Sequence, residues 1–157
     1  MSDQPSALYD LMGGDAGVHA LVDRFYRAMD EDPGCTRIRH LHPADLSHSR
    51  EKLYRFLSGW LGGPPLYVEK YGHPMLRRRH MPFPIGSTER DQWMRCMMLA
   101  LEGCDLAADV RERLMAAFFN TADFMRNREE NGVPDPGLAS IPLGAAGPGG
   151  PHNQEMP

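Results

Sequence analysis

The sequence predicts an all-α fold from the pattern of its apolar residues. These residues recur at three- and four-residue steps in several long stretches, which places them on one face of a helix. No stretch alternates apolar and polar residues as a half-buried strand does. Clusters of Gly and Pro separate the periodic stretches, and such clusters mark turns.

The first half of the chain contains two long helices by this pattern. Residues 16–31 form the first, and Asp15 is its predicted N-cap, because a carboxylate accepts hydrogen bonds from the free amides of a first turn. A short segment follows at 34–40, and a second long helix covers 46–61, ended by the Gly and Pro run at 62–65. The residues predicted to face inward are Val18, Leu21, Val22, Phe25, Tyr26, Met29, Leu46, Leu53, Phe56, Leu57 and Trp60.

The second half contains two more long helices after an irregular stretch. The prolines within 66–86 restrict any helix there to short pieces. The third long helix starts at Ser87 or Thr88, and Thr88 with Asp91 forms a weak capping box. The last helix covers 107–128. Together these two helices carry Trp93, Met94, Met97, Met98, Leu101, Val110, Leu114, Ala117, Phe118, Ala122 and Met125 as their apolar residues.

Composition limits the classes of protein to which the chain can belong. It has 157 residues, 41% of them hydrophobic and 24% charged, with a net charge of −4, which favours one globular domain and does not favour nucleic-acid binding. Apolar runs are too short for a membrane helix, and the N-terminus lacks the features of a secretion signal. The three cysteines form neither a disulfide framework nor a zinc motif, so we expect a cytoplasmic protein. Residues 1–130 form the predicted domain, and the Pro- and Gly-rich residues 131–157 form a predicted flexible tail.

Among seven histidines, His80 is the candidate metal ligand. It ends a run of three arginines and precedes the stiff apolar segment 81–85, which contains two prolines. A histidine held in this way can present a neutral nitrogen to a metal or to a haem iron. The alternative is a solvated histidine at a helix end. Because no second ligand lies at metal-binding spacing, a cofactor would have to supply the other ligands. His42 lies ahead of a helix and is ambiguous by pattern alone.

Several motifs together resemble one family over residues 7–128. They are LYDLMGG, LVDRFYRAM, WLGGPPLYVEKYGHP, RRRHMPFPI and ERDQWMRCM. In these motifs the chain resembles the group II truncated haemoglobins. The resemblance implies a truncated globin-like two-over-two helical sandwich around one haem b, which is iron protoporphyrin IX.

The resemblance also assigns roles to individual residues. His80 matches the proximal histidine that ligates iron, and Tyr26 and Trp93 match residues that donate hydrogen bonds to the bound ligand. His42 stands where the family usually has Tyr or Phe, which changes the distal geometry. Without the resemblance, Tyr26 and Trp93 would be interpreted as core aromatic residues.

Further residues complete the predicted pocket. Ser49 takes the position of the distal histidine of ordinary globins, and Leu53 lies one turn further on. Arg79 and Tyr67 are the predicted partners of the haem propionates. The remaining predicted haem contacts are Tyr54, Phe56, Met75, Leu76, Phe83, Ile85 and Met97.

The predicted function is the reversible ligation of O2, CO or NO, with slow release of O2. Hydrogen bonds to a charged group contribute roughly 1.5–3 kcal/mol each, so two donors would slow release by orders of magnitude. The alternative is a peroxidase or NO dioxygenase, which would need an external reductase. No catalytic residue is assigned, and the chain is expected to be a monomer or a homodimer without membrane or nucleic-acid partners.

Overall fold

The computed structural model describes residues 7–128, which are mostly helical. No β-strand occurs within this range, so the predicted all-α class is confirmed. The predicted tail at 131–157 and the domain boundary at 130 lie outside the described residues. A one-turn 3₁₀ helix, Pro33–Cys35, separates α2 from α3. The α-helices are α1 (Leu8–Leu11), α2 (Gly14–Glu31), α3 (Thr36–His40), α4 (Ser47–Trp60), α5 (Leu66–Tyr71), α6 (Leu76–His80), α7 (Ser87–Glu102) and α8 (Ala108–Phe124).

Two helix pairs form the core of the fold. α2 packs on α4, α7 packs on α8, and α2 and α7 join the two pairs, so the predicted two-over-two arrangement is confirmed. All six apolar residues predicted on α2 are buried. They meet Met97 and Leu101 of α7, and Leu114 and Phe118 of α8, in one continuous cluster. No helix among residues 7–128 is both long and apolar enough to cross a membrane.

The start of α2 differs from the prediction. The helix begins at Gly14, and its N-cap is Gly13, whose φ of 104° lies in the left-handed region that favours glycine. The prediction of Asp15 as the N-cap is therefore wrong. Asp15 lies inside the first turn, where its carboxylate accepts a hydrogen bond from the hydroxyl of Tyr54.

The start of α7 uses a different acidic residue from the predicted one. The helix begins at Ser87, and the backbone N–H of Gly86 donates to Glu89 Oε1 at 2.8 Å. The prediction of Thr88 as N-cap with Asp91 as its partner is wrong by two residues, because Glu89 is the side chain that reaches back to the N-cap amide.

The end of α8 also differs from the prediction, which extended the helix to residue 128. The helix ends at Phe124, and the chain then turns so that the N–H groups of Asn127 and Arg128 both donate to the carbonyl oxygen of Ile85, at 2.8 and 3.0 Å. The last described residues are thereby joined to the segment between α6 and α7.

Candidate functional site

A mostly apolar cavity lies among α3, α4, α6, α7 and α8. It opens to solvent, and the empty space within it, counted together with the solvent at its mouth, is about 650 Å³. Six predicted pocket residues line it: Leu53, Phe56, Leu76, His80, Ile85 and Trp93. The sequence interpretation missed the other lining residues, which are Ile38, Leu41, Glu89, Arg90, Thr121, Ala122 and Met125.

His80 is the last residue of α6 and lies on one wall of the cavity. Its Nδ1 lies 2.7 Å from the carbonyl oxygen of Leu76. A carbonyl only accepts hydrogen bonds, so Nδ1 carries the proton and Nε2 keeps its lone pair. Burial lowers the pKa of His80 to about 4, so the ring is neutral at pH 7. A neutral imidazole oriented through its other nitrogen is the usual form of a metal-ligating histidine.

Asn127 fixes the segment that carries His80. Its side chain donates to the carbonyl oxygens of His80 and Phe83, at 3.3 and 2.8 Å, and accepts from the N–H of Ile85 at 2.9 Å. Asn127 is almost completely buried. The sequence interpretation missed this residue, because a single Asn beyond a helix end has no distinguishing pattern.

Trp93 of α7 lies on the cavity wall, and its ring packs against two core aromatic side chains. The centroid of the Trp93 ring lies 5.1 Å from the ring centroid of Phe25 and 5.7 Å from that of Phe118. Among residues 7–128, no acceptor lies within hydrogen-bond distance of the indole N–H. This donor is therefore available to a ligand in the cavity.

Tyr26 uses its hydroxyl proton within the protein. The side chain is completely buried, and the hydroxyl donates to the carbonyl oxygen of Ser49 at 3.2 Å. Burial raises the pKa of Tyr26 well above its usual value, so the phenol stays protonated. Tyr26 is not among the residues that line the cavity, and its ring meets that of His42 edge to face at 5.9 Å.

His42 presents a different group from the one that the resemblance led us to expect. The ring is buried, and Nδ1 lies 2.8 Å from the carbonyl oxygen of Ile38. By the same argument as for His80, Nδ1 carries the proton and Nε2 is an acceptor. A tyrosine at this position would offer an O–H donor, whereas a neutral histidine in this tautomer would offer the lone pair of Nε2.

Two more polar residues of α4, neither of them among the lining residues of the cavity, are buried. Ser49 is completely buried, and its Oγ has no hydrogen-bond partner within the described residues. Lys52 is only 8% exposed, and its charge contributes to lowering the pKa of His80. Lys52 was not predicted, although its position three residues after Ser49 places both on one helical face.

A wide opening connects the cavity to solvent between α4, α6 and α8. It shares Phe56 and Leu76 with the cavity and adds Met75, which is 40% exposed. The two predicted propionate partners lie together, with the guanidinium of Arg79 5.8 Å from the ring centroid of Tyr67.

Three other predicted haem contacts do not line the cavity. The Tyr54 ring stacks on that of His19 with centroids 3.8 Å apart. Its hydroxyl donates to the carboxylate of Asp15, which lies on α2 together with His19. Met97 is completely buried in the core of the helix pairs. Phe83 packs beside Ile85 and Met125, which do line the cavity.

Comparison with known proteins gives consistent matches over the described range. A model of the bacterial-like globin family matches residues 7–127. The group 2 truncated hemoglobin YjbI of Bacillus subtilis is 38% identical over 130 residues, which cover 83% of this chain and 96% of that protein.

Solved structures agree in both sequence and shape. A group II 2-on-2 hemoglobin from Agrobacterium tumefaciens is 50% identical with a TM-score of 0.77, over 83% of this chain and 100% of that one. A truncated hemoglobin from Pseudoalteromonas haloplanktis is 44% identical with a TM-score of 0.76, over 78% of this chain and 99% of that one.

Proposed function

We propose, from the premise that the chain belongs to the bacterial-like globin family as one of its group II truncated haemoglobins, that it binds haem b through His80 and ligates O2 with slow release. The observation that carries this proposal is the state of His80. Its ring is buried and neutral, and Nδ1–H is hydrogen-bonded to a carbonyl, which leaves Nε2 as the ligating nitrogen.

The lining of the cavity suits a large apolar cofactor. It is mostly aliphatic and aromatic, and it contains one histidine, His80, together with Trp93 and Leu53. Haem supplies an iron atom that binds O2, CO and NO reversibly. Arg79 and Tyr67, which contact each other, are the residues that we expect to hold the propionates.

The distal residues differ in what they can give to a ligand. Trp93 has an N–H that is not used elsewhere among residues 7–128, so it can donate without breaking another hydrogen bond. Tyr26 must break its hydrogen bond to the carbonyl oxygen of Ser49 before its hydroxyl can donate to a ligand. His42 meets the Ile38 carbonyl oxygen through Nδ1, so a neutral ring would offer a ligand the lone pair of Nε2. We therefore assign ligand stabilisation first to Trp93 and second to Tyr26.

Substitution of His80 tests the assignment of the iron ligand. His80→Ala is expected to lose most of its haem on gel filtration, and added imidazole is expected to restore binding by occupying the vacated position. His73→Ala is the matched control, since His73 is an exposed histidine on the segment before α6. A His80→Ala protein that keeps normal haem content and a normal CO spectrum without imidazole would contradict the proposal.

A reaction of the oxygenated protein distinguishes the enzymatic alternative from an oxygen-binding protein. A peroxidase or NO dioxygenase would turn over repeatedly with peroxide, or with NO and a reductant. An oxygen-binding protein would release O2 slowly and show no sustained turnover. Stopped-flow mixing with NO, followed by measurement of nitrate in the presence of a reductant, distinguishes the two.

A further inference from the structure

We propose that Cys35 and Cys96 form a redox-active pair that closes to an intramolecular disulfide when the protein meets hydrogen peroxide. Their Sγ atoms lie 2.9 Å apart, and neither residue has exposed surface. Both are free thiols. A disulfide bond is about 2.05 Å long, so an approach of about 0.9 Å joins the two sulfur atoms. This inference does not depend on the proposed oxygen-binding function.

The backbone around the pair is already held in register. Cys35 ends the 3₁₀ helix that packs on α7, and Cys96 lies in the middle of α7. The side-chain oxygen of Gln92, one turn before Cys96, accepts from the N–H groups of Arg37 and Ile38, at 2.9 and 3.1 Å. These hydrogen bonds fix the start of α3 against α7, so the two thiols face each other through a rigid junction.

A second contact holds the same junction from its outer side. The guanidinium of Arg95 donates to the Asp32 carboxylate at 3.0 Å, directly beside the 3₁₀ helix. Asp32 also accepts from the N–H of Gly34 at 2.7 Å. The thiol pair therefore lies between two sets of polar contacts that link the same two segments, and closing it requires little backbone movement.

The chemistry balances with one molecule of hydrogen peroxide. Cys35 reacts first, because it follows the exposed Pro33 and Gly34 and is the thiol that local opening of this turn uncovers. Its thiolate attacks a peroxide oxygen and breaks the O–O bond, giving a sulfenic acid and hydroxide, which takes up the thiol proton as water. Cys96 then attacks the sulfenic sulfur, and the S–O bond breaks with loss of a second water. The two thiols lose two electrons, and the peroxide gains them.

Burial sets the rate of this reaction. Desolvation raises the pKa of both thiols, so little thiolate is present at pH 7. Oxidation therefore proceeds through transient opening of the 3₁₀ helix and is slower than oxidation of an exposed cysteine. Once formed, the bond is protected from reductants by the same burial.

The position of the pair gives the disulfide a consequence for the cavity. Ile38 lies one turn after Cys35, and Trp93 lies one turn before Cys96, and both line the cavity. The disulfide joins the 3₁₀ helix, which leads directly into α3, to α7 beside these two residues. Oxidation would therefore rigidify one wall of the cavity.

The experiment uses the full chain with Cys104→Ser, which removes the third thiol. The protein is treated with hydrogen peroxide, and in parallel with diamide, which oxidises thiol pairs without haem. It is then denatured, alkylated and analysed by mass spectrometry. We expect the loss of both alkylation sites, a mass lower by two hydrogen atoms, and one peptide that joins Cys35 to Cys96. The midpoint of thermal unfolding should rise by on the order of 10 °C.

A matched variant and three contrary outcomes make the test decisive. Cys35→Ser in the same background should show no cross-linked peptide and no rise in the unfolding midpoint. Full alkylation of both thiols after treatment, or over-oxidation of Cys35 without a cross-link, would overturn the proposal. A cross-link that forms only in urea would also overturn it, because the folded geometry would then not be responsible.

Discussion

Removal of the indole N–H of Trp93 is expected to speed the release of O2. Trp93→Phe keeps an aromatic ring between Phe25 and Phe118 but removes the donor. A hydrogen bond to a ligand that carries partial charge contributes roughly 1.5–3 kcal/mol. Because each 1.4 kcal/mol is a factor of about ten, the oxygen dissociation rate should rise roughly 10- to 150-fold.

Tyr26→Phe is the matched comparison, since it also replaces a polar aromatic residue by Phe. The Tyr26 hydroxyl donates to the Ser49 carbonyl, so turning it toward a ligand exchanges one hydrogen bond for another. The net stabilisation of bound O2 by the Tyr26 hydroxyl is then about 0.5–1.5 kcal/mol. We expect the oxygen dissociation rate of this variant to rise only about two- to tenfold.

The assay mixes the oxygenated ferrous protein with excess CO and follows the absorbance change, whose rate is limited by loss of O2. CO dissociation serves as the control, because bound CO carries less charge and should respond less to either substitution. A Trp93→Phe rate within twofold of the parent, with haem content unchanged, would refute the reasoning. A larger effect of Tyr26→Phe than of Trp93→Phe would transfer the main donor role to Tyr26.

Three further predictions concern stability. Asn127→Ala leaves the buried N–H of Ile85 without an acceptor, and should lower the free energy of unfolding by about 2–4 kcal/mol in urea titrations; a loss below 0.5 kcal/mol would contradict this. In the apoprotein, His80 has a folded pKa of about 4 against 6.5 unfolded, so the unfolded state binds more protons between these values. The free energy of unfolding should therefore fall by up to roughly 3 kcal/mol as pH drops through that window, and His80→Leu should remove this part of the slope. Gly17→Ala places a Cβ 1.8 Å from the Met12 carbonyl oxygen. The free energy of unfolding should therefore fall by about 1–3 kcal/mol, which would lower the midpoint of thermal unfolding. An unchanged midpoint would show that α1 moves aside freely.

The long helices could be predicted because their apolar residues follow one period over many turns. The six residues of α2 that the pattern places on its inner face, from Val18 to Met29, are buried. The helix starts were less certain, because Asp15, Thr88 and Glu89 are all acceptable near an N-terminus. Only the three-dimensional path of the backbone decides whether a side chain reaches a free amide, and which one does.

The candidate site was predicted unevenly for a similar physical reason. His80 and Trp93 stand in specific motifs, and both line the cavity. Asn127 lies far from His80 in sequence, and no local pattern reveals that its amide bonds to the His80 carbonyl. The donor or acceptor character of His42 also depends on a contact with the Ile38 carbonyl that follows from the fold and not from residue type.

An absorbance spectrum of the purified full chain tests most directly whether His80 holds a haem in this cavity. It is recorded in the ferric state, after reduction with dithionite, and after addition of CO. We predict a sharp Soret band that shifts on reduction and again with CO, at one haem per chain. The absence of a Soret band, even after hemin is added in excess, would contradict the proposal and return His80 and Trp93 to structural roles.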